Sequence, residues 1–124
     1  MANPNIVNVT SILGETVVGA LTTTITTVLL TNAASSGKVY KINSVLIANV
    51  DGTNAADVTF ELATNELGTS VAYNIASTIS IPADATLTLI DKNSSFYLME
   101  NRSLIGGASA NGDLEYLISY EIIN

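Results

Sequence analysis

The sequence predicts an all-β protein, a single β-sandwich of jelly-roll type with about eight strands, or alternatively a small barrel. Apolar and polar residues alternate with a period of two over residues 57–62, 71–81 and 114–122, which is the pattern of half-buried strands. Short clusters of Gly, Asn, Asp, Ser and Pro separate the apolar runs. No segment has the periodicity of an amphipathic helix. At 124 residues the chain is long enough for one domain with its own core.

The chain is predicted to begin with an N-terminal arm or edge strand over residues 1–12, followed by the sandwich over residues 13–124. Ile6, Val7 and Val9 are apolar, but they follow no firm period. An extended segment of this kind can add a strand to a neighbouring protein, because backbone hydrogen bonds require no preformed pocket. We therefore expect the arm to be an attachment element.

The next segments are predicted to be a β-branched strand and a pair of strands at the centre of the domain. Residues 16–31 are rich in Thr, Val and Ile, which disfavour a helix. Two apolar runs then flank the turn residues 51–57, and they are interpreted as a strand pair joined by this seven-residue loop. In the second run Val58, Phe60 and Leu62 share one face, so that face is expected to cover a core.

The second half of the chain is predicted to hold strands and tight turns. A long strand covers residues 71–81, and short strands follow near 87–89 and 96–98. Asn111-Gly112 is typical of a two-residue hairpin turn, because both residues tolerate positive φ. The last strand is expected over residues 114–122.

Composition and residue types exclude several classes of function. Eleven acidic and four basic residues give a formal net charge of -7, so neither nucleic acid nor an anionic membrane is expected as a partner. Without His or Cys, the chain cannot build Ser-His-Asp or Cys-His catalytic groups, ordinary zinc sites or disulfides. The carboxylates fall mostly in turns or on solvent-facing strand positions, so no acid–base pair is placed across a cleft. We predict a protein that is not an enzyme, with no catalytic residues, no metal site and no cofactor.

The N-terminus and the apolar segments bear on where the chain is made. The first residues lack the basic and apolar regions of a signal peptide. The apolar stretch between residues 17 and 30 is interrupted by Thr and is shorter than the ~20 residues of a membrane helix. A soluble chain, synthesised in a cytoplasm, is the expectation.

Two further features have simple structural interpretations. Asp51, Asn54 and Asp57 could ligate calcium, but their spacing does not fit an EF-hand loop, and Asx-turn capping is favoured. The five tyrosines could form a platform for stacking sugars. Four of them alternate onto the apolar face of a strand, which favours the core, whereas Tyr97 is predicted to point outward.

Four apolar residues are predicted to lie on the wrong face of their strands. Ile42 and Leu46 are assigned to the core face of their strand, and Val45 and Ile47 alternate away from it. Leu117 and Ile123 likewise alternate away from Ile118. Such residues require cover, either from the N-terminal segment of the same chain or from another subunit. Contact between subunits is preferred, because homo-oligomers are common and few charges oppose close approach. The predicted interface residues are Val45, Ile47, Leu117, Ile123, Ile6, Val7 and Val9.

Three segments together carry a resemblance to a known family: Lys38 to Asp57 (KVYKINSVLIANVDGTNAAD), Ile81 to Leu87 (IPADATL) and Asp113 to Glu121 (DLEYLISYE). They resemble small virion structural proteins of tailed phages that infect marine cyanobacteria and related ocean bacteria. The resemblance spans roughly residues 38–122. It implies a β-sandwich module on the virion surface, synthesised in the host cytoplasm.

The resemblance also implies a function and partners. The expected function is that of an outer capsid decoration protein acting through protein–protein contacts. The implied partners are further copies of the same chain, for example in a trimer, and the phage major capsid protein or another virion protein. The alternative is a tail or head fibre domain that binds host surface glycan.

Overall fold

The computed structural model describes residues 4–124, and nine strands account for most of them. The strands are β1 (Ile12–Ala20), β2 (Val28–Asn32), β3 (Val39–Asn49), β4 (Ala56–Ala63), β5 (Ala72–Ile81), β6 (Thr86–Ile90), β7 (Phe96–Leu98), β8 (Arg102–Ala108) and β9 (Leu114–Ile123). A single turn of 3-10 helix, Lys92–Ser94, separates β6 from β7. Its N-cap is Asp91, whose carboxylate accepts hydrogen bonds from the backbone of Asn93 and Ser94.

The strands form two antiparallel sheets packed face to face. Sheet I has the order β1-β9-β3-β6, and β7 continues the edge beyond β6 by pairing with β3. Sheet II has the order β2-β8-β4-β5. The first and last strands are neighbours in sheet I, and the chain passes repeatedly between the sheets, which is the connectivity of a jelly roll. The predicted all-β sandwich of jelly-roll type is therefore confirmed.

The core lies between the sheets and is almost entirely aliphatic. Leu21, Ile42, Val45, Ile47, Val58, Phe60, Leu98, Leu104, Leu114 and Ile118 are each at most 1% exposed and form one cluster. Tyr40, Tyr116 and Tyr120 pack against this cluster and remain half-buried. Burial of about ten large apolar side chains, each worth about 1.5–3 kcal/mol, is the main stabilising contribution to the fold.

Two buried asparagines connect the sheets at strand ends. The side-chain amide of Asn32 in β2 donates to the backbone carbonyls of Lys38 and Leu98, at 2.9 and 3.0 Å. The amide of Asn49 in β3 donates to the carbonyls of Asn54 and Ile81, at 3.0 and 2.9 Å. Each asparagine thus satisfies buried carbonyls and links its own sheet to a strand of the other sheet.

The predicted pairing of the two central strands is wrong. β3 belongs to sheet I and β4 to sheet II, so they face each other across the core instead of sharing hydrogen bonds. The Asn111-Gly112 turn likewise connects β8 in sheet II to β9 in sheet I, although Gly112 has the expected positive φ of 82°. Sheets pack about 10 Å apart, a gap that a short turn crosses as readily as it joins neighbouring strands. Turn signals alone therefore do not determine which strands pair.

The β-branched segment 16–31 also divides between the sheets. Its first part belongs to β1 in sheet I and its last part to β2 in sheet II. Leu21 is the first residue of the β1–β2 connection. It belongs to no strand, but its side chain packs into the core and is 1% exposed. Residues 4–11 form no strand, and the sheet begins at Ile12, where the N-terminal arm was predicted to end. Residues 1–3 of that arm lie outside the described part of the chain.

The predicted outward orientation of Val45 and Ile47 is wrong, because β3 contains a bulge. The register of β3 against β9 shifts between Ile42 and Ser44, so one extra residue is inserted and the alternation reverses. Val45 and Ile47 are 0% exposed and face the core, as Ile42 does. Leu46 lies on the outer face instead.

Candidate interaction surface

The two sheets differ in how their outer faces are covered. On sheet II the outward residues of β8 are Ser103, Ile105 and Gly107, and Ile105 is only 1% exposed. A methyl group on Gly107 would lie 2.8 Å from the Cα of Ile25, so the β1–β2 connection rests directly on this strand. The Ser103 hydroxyl donates to the Asn65 carbonyl at 2.8 Å, which ties the β4–β5 loop to the same face. The chain's own loops thus cover the middle of sheet II.

On sheet I the outer face stays open at one end. Val18, Leu117, Leu46 and Thr88 are paired in one row across β1, β9, β3 and β6. The neighbouring row is Ala20, Glu115, Ala48 and Thr86. We call the apolar members of these rows, Val18, Ala20, Leu46, Ala48 and Leu117, the open patch.

The open patch forms a shallow depression with a volume of about 470 Å³. Val18 is 65% exposed, and Leu46 and Leu117 are half-buried. Glu115 is the one charged residue that lines the depression. An apolar surface with a polar rim is typical of a protein–protein contact.

The opposite end of the same outer face is closed within the chain. Ile123 pairs with Val39, and these two residues are 5% and 3% exposed. The N-terminal segment is hydrogen-bonded beside them, because Ser11 and Asn124 exchange backbone hydrogen bonds of 3.1 and 3.0 Å. Ile123 therefore has cover from its own chain, which was one of the two alternatives that the sequence left open.

The predicted interface residues consequently separate into three groups. Val45 and Ile47 are in the core and cannot contact a partner. Leu117 points outward as predicted and belongs to the open patch, whereas Ile123 is buried within the chain. In the arm, Ile6 and Val7 are 51% and 84% exposed and Val9 is half-buried, so their role as contacts stays a prediction.

Sequence reasoning missed Leu46, which was assigned to the core face. The signal that could have identified it is the pair Asn43-Ser44, two polar residues that interrupt the apolar alternation of β3. Such a break is where a bulge reverses the faces of a strand.

The predicted absence of a catalytic or metal site rests on residue types, and two of the aspartates cap turns. Asp51 accepts backbone hydrogen bonds from Thr53 and Asn54, at 2.8 and 3.3 Å, which is the predicted Asx-turn capping. These bonds hold the pKa of Asp51 below its ordinary value. Within residues 4–124, no three acidic side chains lie close enough together to hold a metal ion.

The tyrosines do not form a common platform. Tyr40 and Tyr120 pack against each other with ring centroids 5.3 Å apart, on the core face of sheet I. Burial raises the pKa of both hydroxyls, and the nearby Glu15 carboxylate raises it further. Tyr97 is 44% exposed as predicted, but Tyr73, predicted to face the core, is 65% exposed. Exposed Tyr73 and Tyr97 lie on different sheets.

The ladder between β4 and β5 is irregular. Pairing slips between Val58 and Phe60 and again between Phe60 and Glu61, and Thr78 has a positive φ of 47°. The alternation over residues 71–81 is therefore not continuous, but the two shifts together restore its phase, because Tyr73 pairs with Leu62 and Ile81 with Ala56 on the same side of β4. Tyr73 is exposed although its partner Leu62 packs against the core.

Comparison with known proteins identifies a similar fold. No family model matches the sequence, and no curated protein is similar to it in sequence. Among solved structures, the chain is similar to a protein of Bacillus endospore appendages, which are described as a novel family of disulfide-linked pili. The match has a TM-score of 0.52 and 16% sequence identity, and it covers 91% of this chain and 88% of the other. At this identity the likeness concerns the fold.

This chain differs from the pilus protein in its chemistry of assembly. The pilus protein belongs to disulfide-linked assemblies, whereas this chain has no cysteine and cannot form a disulfide. Over the described residues, no helix has the length and apolar character needed to span a membrane.

Proposed function

We propose that the protein is a non-enzymatic structural subunit that decorates the outer surface of a phage capsid through protein–protein contacts. The open patch is the observation that carries the proposal. It places apolar side chains of three strands on one sheet, and loops leave this part of the sheet uncovered while covering the middle of the other sheet. Burial of such a surface against a partner stabilises the complex by about 25 cal/mol for each square ångström of apolar area removed from water.

Two further observations support a structural subunit. The similar solved structure belongs to a pilus, so a sandwich of this topology serves as a building block in at least one assembly. The resemblance of three segments to virion proteins supports a phage particle as the assembly to which this chain attaches. Since the chain contains no cysteine, its contacts in that particle are non-covalent or use chemistry other than disulfides.

The location is tested by counting copies in purified virions. A decoration protein is expected at a copy number close to that of the major capsid protein. A few copies per particle would instead support the alternative of a fibre domain that binds glycan, and absence from virions would refute both. Quantitative mass spectrometry of purified particles measures this ratio.

The surface is tested by a double variant of the open patch, Leu46→Gln with Leu117→Gln. Both side chains are half-buried on the outer face, so the fold should survive while the contact area becomes polar. We expect at least a 10-fold loss of incorporation into particles. The matched control is Val71→Gln with Tyr73→Gln, since these residues are 64% and 65% exposed beside sheet II. Equal incorporation of both variants would show that the open patch is not the attachment surface.

A further inference from the structure

Strand β1 has a hydrogen-bonding edge that no strand of the described residues occupies. Ser11 and Asn124 exchange both backbone hydrogen bonds, and the Leu21 amide donates to the Leu114 carbonyl at 2.8 Å. Antiparallel ladders alternate between hydrogen-bonded and non-hydrogen-bonded pairs, so the odd-numbered residues of β1 bond to β9. The N–H and C=O groups of the even-numbered residues therefore point away from the sheet. These residues are Ile12, Gly14, Thr16, Val18 and Ala20.

The other sheet edges carry features that oppose pairing. β2 has five residues and a register shift at Val28, and β5 is distorted at Thr78, where φ is positive. β6 also has five residues and is separated from β7 by the 3-10 turn. β1 has nine residues in continuous register, with no Pro and one charged side chain, Glu15. A long, regular and nearly uncharged edge is a template for another strand.

We propose that β1 pairs in antiparallel fashion with β1 of a second copy, about a two-fold axis through Thr16. The inference rests on the proposed function, because it names the contact between subunits of the assembly. In this register all nine residues of β1 overlap. Each outward-directed residue exchanges two backbone hydrogen bonds with its counterpart. Identical edges related by a two-fold axis form a closed pair, which is the commonest symmetry of homo-oligomers.

The side chains of β1 are self-complementary in this register. Thr16 lies opposite Thr16 of the second copy, a favourable cross-strand pair. Val18, 65% exposed in one chain, lies opposite Gly14, which has open space around its Cα. Glu15 lies opposite Val17, so no charge directly faces a like charge. A shift by one residue would oppose inward side chains to outward ones, which the alternation forbids.

Pairing of this kind would also enlarge the proposed attachment surface. A two-fold axis perpendicular to the sheet keeps the outer faces of both copies on the same side. The two open patches would then lie next to each other on one continuous sheet, with Val18 of each copy near the seam. Two linked patches bind a particle with an avidity that a single patch lacks.

Cysteine cross-linking of the purified protein tests the register, because the natural chain has no cysteine. Hydrogen-bonded antiparallel partners have Cα atoms about 5.5 Å apart, within the range of a disulfide. Thr16→Cys should form covalent dimers under mild oxidation at least 10-fold faster than Ser80→Cys, an exposed position on β5. Gly14→Cys and Val18→Cys should cross-link slowly alone but rapidly when mixed with each other. Cross-linking of Thr16→Cys at the rate of the control would overturn the proposal.

Two proline substitutions separate an effect on the edge from an effect on the fold. Thr16→Pro removes an outward N–H, so it should leave the melting temperature within a few degrees and weaken dimerisation at least 10-fold in sedimentation experiments. Val17→Pro removes an N–H bonded to β9 and should lower the melting temperature markedly. A Thr16→Pro protein that dimerises like the wild type, or a wild type that is monomeric at high concentration, refutes β1 pairing. Neither result changes the expected loss of incorporation for the Leu46 and Leu117 variant.

Discussion

The outer faces of the two sheets differ in how far the chain's own loops cover them. Sheet II carries a buried outward isoleucine, Ile105, under loops that connect strands of the sandwich. Sheet I carries Leu46, Leu117 and Val18 on its outer face. Leu46 and Leu117 are half-buried, and Val18 is mostly exposed. Both outer faces carry large apolar side chains, and the difference lies in where the connections run. The loops cover the middle of sheet II and leave part of the outer face of sheet I open to solvent.

The largest expected effect contrasts the two sides of β3. Ile47→Ala should lower the free energy of unfolding by about 2–5 kcal/mol, because Ile47 is 0% exposed and its removal leaves a cavity. Leu46→Ala, one residue away on the open patch, should cost about 1 kcal/mol or less, since water already reaches this side chain. Urea denaturation of both variants measures the difference. Similar losses for the two would mean that Leu46 is as fully packed as the core.

A smaller effect is expected from adding a methyl group to each outer face. Gly107→Ala should destabilise the protein by about 1–3 kcal/mol, because the new Cβ would lie 2.8 Å from the Ile25 Cα and 2.9 Å from the Thr22 carbonyl oxygen. Gly14→Ala is the matched control on sheet I, where no atom lies within 4 Å of the new methyl. It should be neutral or slightly stabilising, since alanine restricts the unfolded chain. A neutral Gly107→Ala would show that the β1–β2 connection does not rest firmly on sheet II.

The smallest effect concerns the titration of Tyr40 and Tyr120, the tyrosine pair on the core face of sheet I. Burial, and then the Glu15 carboxylate, raise the pKa of Tyr40 and Tyr120 above the ordinary 10.0. The folded state therefore favours the protonated hydroxyls, and this stabilisation is complete below pH 10 and is lost as the pH rises through the folded-state pKa.

Glu15→Gln should move the tyrosine titration toward lower pH while leaving the contribution of burial. Ultraviolet absorbance of tyrosinate in the folded protein measures the shift. Glu115→Gln, at the other end of sheet I, provides the control and should leave the curve unchanged. An unchanged curve for Glu15→Gln would contradict the assigned proximity of this carboxylate to the tyrosine pair.

Much of the fold could be predicted from local patterns. The long strand expected over residues 71–81 corresponds to β5, Ala72–Ile81, and the final run to β9, Leu114–Ile123. A period of two reflects the pleat of a strand, which every strand shares regardless of its partners. Leu117 was correctly placed on an outer face for the same reason. The β9 ladders with β1 and with β3 near Leu117 run in register there, so its alternation is undisturbed.

Sheet membership and the reversal of faces depended on the tertiary structure. A turn of a few residues can join neighbours in one sheet or cross between sheets, and the sequence of the loop between β3 and β4 is compatible with both. The bulge near Asn43 is stabilised by the ladder with β9, a strand more than 70 residues away in the chain. That long-range pairing moved Val45 and Ile47 into the core and Leu46 onto the open patch. The sequence by itself thus determined that the chain forms strands and where most of them lie, because pleat and turn chemistry are local. Only the tertiary structure decided which apolar side chains stay open on an outer face, because that depends on register between distant strands.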